Sequence, residues 1–244
     1  MTSIFRRAEL RRAGGNGSEK DPAERLVVGR DPTGAATEAY RTLRTNLLYA
    51  LVDEPPKVIV LTSPGPGEGK STTCANLAVV LAMAGKSVLL FDCDFRKPTL
   101  HKIFELRNLH GIVDILVGER ELTEVWKEPV EGVKVVPAGP IPPNPAEVLG
   151  AQRFSELLAS EREQFDYVLV DTPPIGVVSD AAILARQGDG ILLVIDAQHT
   201  RKGTVRQAMR SLETVGGRVL GTVMNNVKSS KEGYYGYSYS YEQG

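Results

Sequence analysis

Residues Thr62 to Thr72, with the sequence TSPGPGEGKST, decide the fold of this chain of 244 residues. The residues before them, 57–61 (KVIVL), are mostly apolar and β-branched, which is typical of a buried parallel strand. The residues after them, 73–84, predict a helix that ends at Gly85. A strand, a glycine-rich turn, Gly-Lys-Ser and a helix in this order are the setting of a phosphate-binding loop. The sequence therefore predicts a nucleotide site here.

The turn contains the residue types that bind nucleotide phosphates. Its glycines let successive backbone N–H groups point at phosphate oxygens, and the N-terminus of the following helix adds about half a positive charge. We expect Lys70 to reach the β- and γ-phosphates and the Ser71 hydroxyl to ligate Mg²⁺. Pro64 stands where the usual motif has its first glycine. The expected nucleotide contacts are Gly65, Pro66, Gly67, Glu68, Gly69, Lys70, Ser71 and Thr72.

Two further apolar stretches end in carboxylates. Residues 87–94 predict a strand that ends in Asp92 and Asp94, and residues 167–171 predict a strand that ends in Asp171. Because ligands bind at the carboxyl ends of the strands in a parallel sheet, we expect these acids beside the phosphate loop. Asp171 matches the usual Walker B arrangement, in which the carboxylate holds Mg²⁺ directly or through water. The alternative for Asp92 and Asp94 is that they only begin a turn.

The remaining segments alternate between strands and helices. Apolar, β-branched runs predict strands at 133–137, 190–196 and 218–225. Helical patterns cover 146–160, 179–186 and 203–215. We therefore expect one α/β domain of the P-loop NTPase type, with a mainly parallel sheet and helices on both of its faces.

A helix is also predicted before the loop, over residues 37–49, with Thr37 as its N-terminal cap. Glu38, Arg41 and Arg44 follow one another at intervals of three residues along this helix. From the residues alone, such a charged stripe is a solvated face with weak local ion pairs.

The two ends of the chain differ from the middle. We expect residues 1–36 to be a flexible basic leader, either solvated or in contact with anionic lipid or an acidic segment of a membrane protein. Residues 37–226 form the expected catalytic domain, and 227–244 a disordered tail. The tail carries the phenols of Tyr234, Tyr235, Tyr237, Tyr239 and Tyr241. They are candidate phosphate acceptors beside an ATP site, or else only stacking groups.

Composition limits the classes of function. The formal charge is −1 and 42% of the residues are hydrophobic, so nucleic acid is not an expected partner. No apolar run reaches the length of a membrane span, and the N-terminus lacks the apolar core of a signal peptide. Cys74 and Cys93 lie in a predicted helix and strand, as buried thiols of a reduced cytoplasmic protein do.

In combination, these motifs resemble the bacterial protein-tyrosine kinases of capsule and exopolysaccharide synthesis. Residues 67–71 match the Walker A motif of that family, 92–98 its modified second Walker motif, and 170–174 its Walker B motif. Glu38, Arg41 and Arg44 match the E-x-x-R-x-x-R motif that builds a ring-shaped oligomer in the family. The resemblance extends from Thr37 to the tyrosine cluster.

The resemblance implies a cytoplasmic autokinase that uses ATP and Mg²⁺ to phosphorylate its own tyrosine cluster in trans. It implies catalytic roles for Lys70, Asp92 and Asp94, with Asp92 or Asp94 as the base, and Mg²⁺ held by Ser71, Asp94 and Asp171. It further implies a ring-shaped homo-oligomer, a cognate tyrosine phosphatase, and a separate membrane activator of the polysaccharide co-polymerase type. That activator would recruit the kinase to the inner face of the plasma membrane.

Two other functions remain open at this point. One is a partitioning or cell-division ATPase of the MinD/ParA type, which carries a second lysine where this chain has Gly65. The other is a regulator that binds nucleotide without catalysis. Phosphotyrosine in the last residues of the purified protein distinguishes a kinase from both.

Overall fold

The computed structural model describes residues 21–49, 55–177 and 180–228. Its strands are β1 (Val58–Thr62), β2 (Val88–Asp92), β3 (Lys127–Val130), β4 (Val133–Val136), β5 (Tyr167–Asp171), β6 (Gly190–Asp196) and β7 (Val219–Asn225). They form one sheet in the order β3-β4-β2-β5-β1-β6-β7. Every pair is parallel except β3–β4. The predicted mainly parallel α/β sheet is confirmed.

Helices cover the sheet on both sides. A 3₁₀ turn (Pro22–Arg25) precedes α1 (Val27–Arg30), α2 (Ala35–Tyr49), α3 (Lys70–Ala82), α4 (Leu100–Ile103), α5 (Ile112–Val117), α6 (Leu122–Val125), α7 (Pro145–Gly150), α8 (Gln152–Gln164), α9 (Asp180–Ala185) and α10 (Lys202–Thr214). One apolar cluster joins Val60 of β1 to Phe154 and Leu212, on α8 and α10. A second cluster joins Ile59 of β1 to Leu77 of α3. Alternate residues of β1 therefore enter the two halves of the core.

The four central strands bring the functional residues to one edge. All residues of β1, β2, β5 and β6 are buried, because helices cover both faces of the sheet. β1 lies between β5 and β6, and β5 also pairs with β2. The carboxyl end of β1 leads into the phosphate loop, so the ends of the two flanking strands lie beside that loop.

Several predicted boundaries are wrong. α2 begins at Ala35, so Thr37 is not its cap; its hydroxyl donates to the Asp31 carbonyl at 2.6 Å instead. The helix predicted at 146–160 is two helices, separated at Ala151, whose backbone is extended. β3, an antiparallel edge strand that contains Pro129, was not predicted from the sequence.

Part of the predicted leader packs on the domain. Val28 of α1 is fully buried, and its N–H donates to Oδ1 of Asn76 at 3.1 Å. The Asn76 amide in turn donates to the Arg25 carbonyl at 2.7 Å. Arg25 and Val28 are therefore joined to α3. Residues 1–20 and the tyrosine cluster lie outside the described residues. No helix in the described ranges is long and apolar enough to span a bilayer.

Candidate active site

The phosphate loop depends on glycine at two positions. Gly67 and Gly69 have φ angles of 79° and 89°, a left-handed conformation that L-residues with side chains rarely adopt. Gly69 lies directly before the first turn of α3. A Cβ atom on Gly69 would lie 2.0 Å from Nδ2 of Asn225, at the end of β7. The loop therefore fits closely against the neighbouring strand end.

Glu68 fixes the shape of the loop. One carboxylate oxygen accepts a hydrogen bond from the Gly65 N–H at 2.8 Å. The other accepts from the Asp196 N–H at 3.0 Å and from the Thr200 hydroxyl at 2.8 Å. Asn225 adds a hydrogen bond from its amide to the Glu68 carbonyl at 3.1 Å. Glu68 is only 6% exposed; its side chain joins the loop to the end of β6, and its backbone carbonyl joins the loop to the end of β7.

Three residues of this arrangement were not predicted from the sequence: Asp196, Thr200 and Asn225. Each of these residues ends or follows a predicted strand, and this position at the carboxyl end of a strand is the one feature of the sequence that could have identified them as site residues. Asp196 also accepts hydrogen bonds from the Gln198 and His199 N–H groups and from the Asn226 amide. Its contact with His199 and these donors holds the pKa of Asp196 far below its usual value. Asp196 therefore stays ionised and anchors the turn after β6.

Lys70 lies among acidic side chains at the start of α3. Its Nζ atom is 2.7 Å from Oδ2 of Asp94, 3.2 Å from the Ser71 hydroxyl and 3.7 Å from Oδ1 of Asp171. Burial lowers the pKa of Lys70, but the attraction of Asp171 and Asp94 is greater, so the pKa is raised overall. Lys70 is therefore a fixed positive charge at neutral pH.

Asp92 and Asp171 lie side by side at the ends of β2 and β5. They are register partners, and both are fully buried. Oδ2 of Asp92 accepts from the Thr99 and Leu100 N–H groups, each at 3.0 Å. Burial raises the pKa of both carboxyl groups, and the charge of Asp171 raises that of Asp92 further. The two groups therefore titrate as a pair near neutral pH.

Some carboxylate oxygens have no hydrogen-bond donor. Among the described residues, Oδ1 of Asp92 and both carboxylate oxygens of Asp171 lack one. Buried oxygens of this kind need a cation or a proton. The Asp171 oxygens and the Ser71 hydroxyl are hard donors that suit Mg²⁺, whereas Oδ1 of Asp92 can accept a proton. No group of three His, Cys, Asp or Glu side chains in the described ranges forms a complete metal site, so water or phosphate oxygens would have to complete the shell.

Asp94 is held in place from two sides. Its Oδ1 accepts from the Lys97 N–H at 3.0 Å, while its Oδ2 accepts from Lys70. The loop between β2 and α4 is further tied down by Arg96, whose Nε donates to Asp180 at 3.0 Å. The structure thus brings Lys70, Ser71, Asp92, Asp94 and Asp171 together at one edge of the sheet.

The Cys74 and Cys93 thiols are buried, as expected, and burial raises their pKa values.

The charged residues of α2 lie on another part of the surface. Glu38 and Arg41 form an ion pair within the helix. Arg44 donates from Nη1 to the Val80 carbonyl near the end of α3 at 3.0 Å. Arg44 is thus partly engaged within its own chain. Glu38 remains half-exposed, with 56% of its side chain accessible.

Comparison with known sequences places this architecture in a family. Residues 56–220 match the family described as an AAA domain. The chain is 43% identical over 213 residues to tyrosine-protein kinase YwqD of Bacillus subtilis, covering 87% of this chain and 90% of that protein. It is 39% identical to tyrosine-protein kinase wzc of Salmonella typhimurium, covering 89% of this chain and 30% of that longer protein.

Solved structures agree with these sequence matches. The kinase domain of the Escherichia coli tyrosine kinase ETK superposes with a TM-score of 0.79 at 32% identity, covering 88% of this chain and 84% of that one. The septum site-determining protein MinD of Pyrococcus horikoshii matches with a TM-score of 0.59 at 24% identity, which shows a shared fold. Both the extent and the identity of the kinase matches show that this chain belongs to the bacterial tyrosine-protein kinases.

Proposed function

We propose that this kinase transfers the γ-phosphoryl group of Mg-ATP to the tyrosine cluster at the C-terminus of a neighbouring copy. In this way it would regulate capsule or exopolysaccharide synthesis or export. The observation that carries the proposal is the gathering of Lys70, Ser71, Asp94 and Asp171 beside the phosphate loop, with unpartnered carboxylate oxygens among the described residues. The role in polysaccharide synthesis rests on the motifs described above.

Charge and position would account for most of the catalysis. The loop N–H groups and Lys70 hold the β- and γ-phosphates, with Gly65, Pro66, Gly67, Glu68, Gly69 and Thr72 shaping or lining the loop. Ser71, Asp94 and Asp171 would hold Mg²⁺, directly or through water, and this ion would neutralise charge on the phosphates. Displacing Lys70 from Asp94 frees both the ammonium and a carboxylate for these contacts.

Asp92 is the proposed base. Oδ2 of Asp92 is already occupied by two backbone N–H groups, so the other oxygen, Oδ1, is free to accept the phenol proton. Burial and Asp171 raise the pKa of Asp92, which brings it closer to that of a phenol and makes the carboxylate a stronger base. Asp94 is the alternative base, but its two oxygens are engaged by Lys70 and the Lys97 N–H.

The proposed assembly is a ring in which Glu38, Arg41 and Arg44 contact the next subunit. A ring requires a head-to-tail interface between two different patches, and the exposed Glu38 at the start of α2 suits one of them. A membrane activator of the polysaccharide co-polymerase type would recruit the kinase from the cytoplasm to the inner face of the plasma membrane. A cognate tyrosine phosphatase would reverse the modification.

A mixing experiment tests the proposal. Full-length Lys70→Met protein is incubated with Mg-ATP and an active chain truncated after Glu232, and phosphotyrosine is mapped by mass spectrometry. We expect Tyr234, Tyr235, Tyr237, Tyr239 and Tyr241 of the inactive chain to become labelled. Labelling of intact wild type without labelling of the inactive partner would show transfer within one chain. Absence of phosphotyrosine in both would overturn the proposed autokinase.

A further inference from the structure

One face of α10 carries an uncompensated row of positive charge. Lys202, Arg206 and Arg210 are exposed and follow at intervals of four residues, so they lie along one side of the helix. We call these three residues the α10 basic stripe. None of them forms an ion pair within the described residues. Like charges at this spacing destabilise a helix by about 0.2–0.5 kcal/mol per pair. A bound anionic group would therefore reduce the repulsion between these cations and stabilise the helix.

The tyrosine-bearing tail leaves the domain next to this stripe. The Ala197 N–H donates to the Asn225 carbonyl at 2.9 Å, and the Gln198 amide donates to the Asn226 carbonyl at 2.7 Å. Val227 and Lys228 then line one pocket with residues 197–199. The last described residue thus lies beside the turn that leads into Lys202, at the N-terminal end of the stripe.

The length of the tail suits the stripe. From Lys202 to Arg210 the helix rises about 12 Å. The six residues from Lys228 to Tyr234 span at most about 20 Å when extended, so the chain before the first tyrosine of the cluster is longer than the stripe. A tethered ligand at this range has an effective concentration in the millimolar range, which favours binding within one chain.

The charge of the tail depends on phosphorylation. Residues 229–244 contain Lys231, Glu232 and Glu242, so the unmodified side chains sum to a formal charge of about −1. Each phosphate would add about −1.5 to −2, and arginine binds phosphate through two parallel hydrogen bonds. Only the phosphorylated tail has enough negative charge to match the three cations.

We propose that the phosphorylated tail binds back onto the α10 basic stripe of its own subunit. This inference rests on the proposed function, which supplies the phosphotyrosines. The stripe is then a phosphotyrosine site outside the catalytic centre. It holds the product of the reaction away from the neighbouring subunit's active site, while the unmodified tail remains free to enter that site.

The proposal is tested by energy transfer within one chain. A synthetic segment 229–244 with a dye at its end, carrying either five tyrosines or five phosphotyrosines, is ligated to the rest of the protein. The second dye is placed on Glu213→Cys, at the exposed end of α10; the native cysteines are buried. Chemical synthesis supplies the phosphates, so the result does not depend on whether the chain phosphorylates itself.

We expect higher transfer efficiency with the phosphotyrosine tail, independent of protein concentration and decreasing as salt rises. The triple variant Lys202→Gln, Arg206→Gln and Arg210→Gln should lose this increase. A matched variant with the same charge change, Arg107→Gln, Lys127→Gln and Arg153→Gln, should retain it, because these exposed cations lie outside α10.

Equal transfer in the two tail forms, or an increase that survives in the stripe variant, would overturn the proposal. An increase that appears only at high protein concentration would indicate binding to a neighbouring copy instead. Phosphatidylserine vesicles provide a further outcome. If they bind the unphosphorylated protein through the stripe while the phosphotyrosine tail gives no increase in transfer, the stripe is a lipid site and the proposal is wrong.

Discussion

Asp92 and Asp171 are register partners at the ends of neighbouring parallel strands, and both carboxyl groups are completely buried. In the sequence these residues are 79 positions apart. The sheet places them side by side, with Lys70 as the nearest cation to Asp171. Two buried carboxylates cannot both ionise without cost, and this cost makes the stability of the nucleotide-free protein depend on pH.

The first prediction is that Asp92→Asn flattens this pH dependence. The pKa values of Asp92 and Asp171 are raised by folding, so the folded state binds more protons than the unfolded state above about pH 4. Stability is therefore lost as the pH rises toward these raised values. Urea unfolding without Mg²⁺ should show parent stability decreasing between pH 5 and 8, and Asp92→Asn reducing that decrease.

Asp166→Asn is the control for this measurement. Hydrogen bonds from Ser87 lower the pKa of Asp166, so it titrates below the tested range. Asp166→Asn should change the free energy of unfolding by the same amount at pH 5 and pH 8. A parent stability that rises over this interval would contradict the proposed ionisation of the pair.

The second prediction concerns Lys70. We expect Lys70→Met to lower autophosphorylation by at least ~100-fold, because a positive charge directed at the phosphates is lost. Its fold should persist, since Asp171, whose pKa is raised by burial, can take up a proton when its cation is removed, and Asp94 keeps its hydrogen bond from the Lys97 N–H. Phosphotyrosine by mass spectrometry and circular dichroism measure the two effects. Lys102→Met, at an exposed position on α4, is the matched control and should remain active.

The third prediction concerns Glu68. In Glu68→Gln an NH₂ group, which cannot accept a hydrogen bond, replaces one carboxylate oxygen. The loop then loses either the hydrogen bond from the Gly65 N–H or the two hydrogen bonds from Asp196 and Thr200. A lost buried hydrogen bond costs about 1–3 kcal/mol, so we expect nucleotide affinity to fall by roughly 10-fold or more. Titration with a fluorescent ATP analogue measures this. An unchanged affinity, equal to that of the exposed control Glu131→Gln, would mean that the hydrogen bonds of the Glu68 side chain do not determine the shape of the loop.

The fourth prediction concerns assembly. If α2 forms the ring interface, replacing Glu38, Arg41 and Arg44 by alanine should reduce the mass measured by light scattering to that of a monomer. Arg44 also donates to the Val80 carbonyl, so the triple variant should lose some stability as well. Urea unfolding of Arg44→Ala alone separates these effects. If the triple variant keeps the parent mass, the charged residues of α2 form a solvated face and not an interface.

The sequence predicted those parts of the fold that local patterns specify. The bounds of β5 and β6 agree with the predicted 167–171 and 190–196, because continuous apolar runs mark buried parallel strands. The acids at strand ends were found for the same reason. β3 was missed because Lys127, Glu128 and Pro129 do not show the apolar pattern of a strand. This segment is a strand only because it pairs with β4.

Contacts between distant segments could not be predicted in this way. The tie from Glu68 to Asp196 and Thr200 joins residues more than a hundred positions apart. The contact between Val28 and Asn76 likewise could not be predicted, because the short apolar segment around Val28 has no helical or strand periodicity. Both depend on how elements meet in three dimensions, and a single sequence does not record that.

The hydrogen bond from Asn225 to the Glu68 carbonyl has a mechanical consequence. Asn225 is the last residue of β7, and the segment that leads to the tyrosines begins at the next residue. Between the backbone of that segment and the backbone of the phosphate loop there is one side chain and one hydrogen bond. A force that pulls on the C-terminus acts first on the hydrogen bonds that join Asn226 and the Asn225 carbonyl to residues 196–198. It then acts, through the Asn225 side chain, on the peptide unit that precedes Gly69. The phosphate loop and the segment that leads to the tyrosine cluster are therefore mechanically coupled through Asn225.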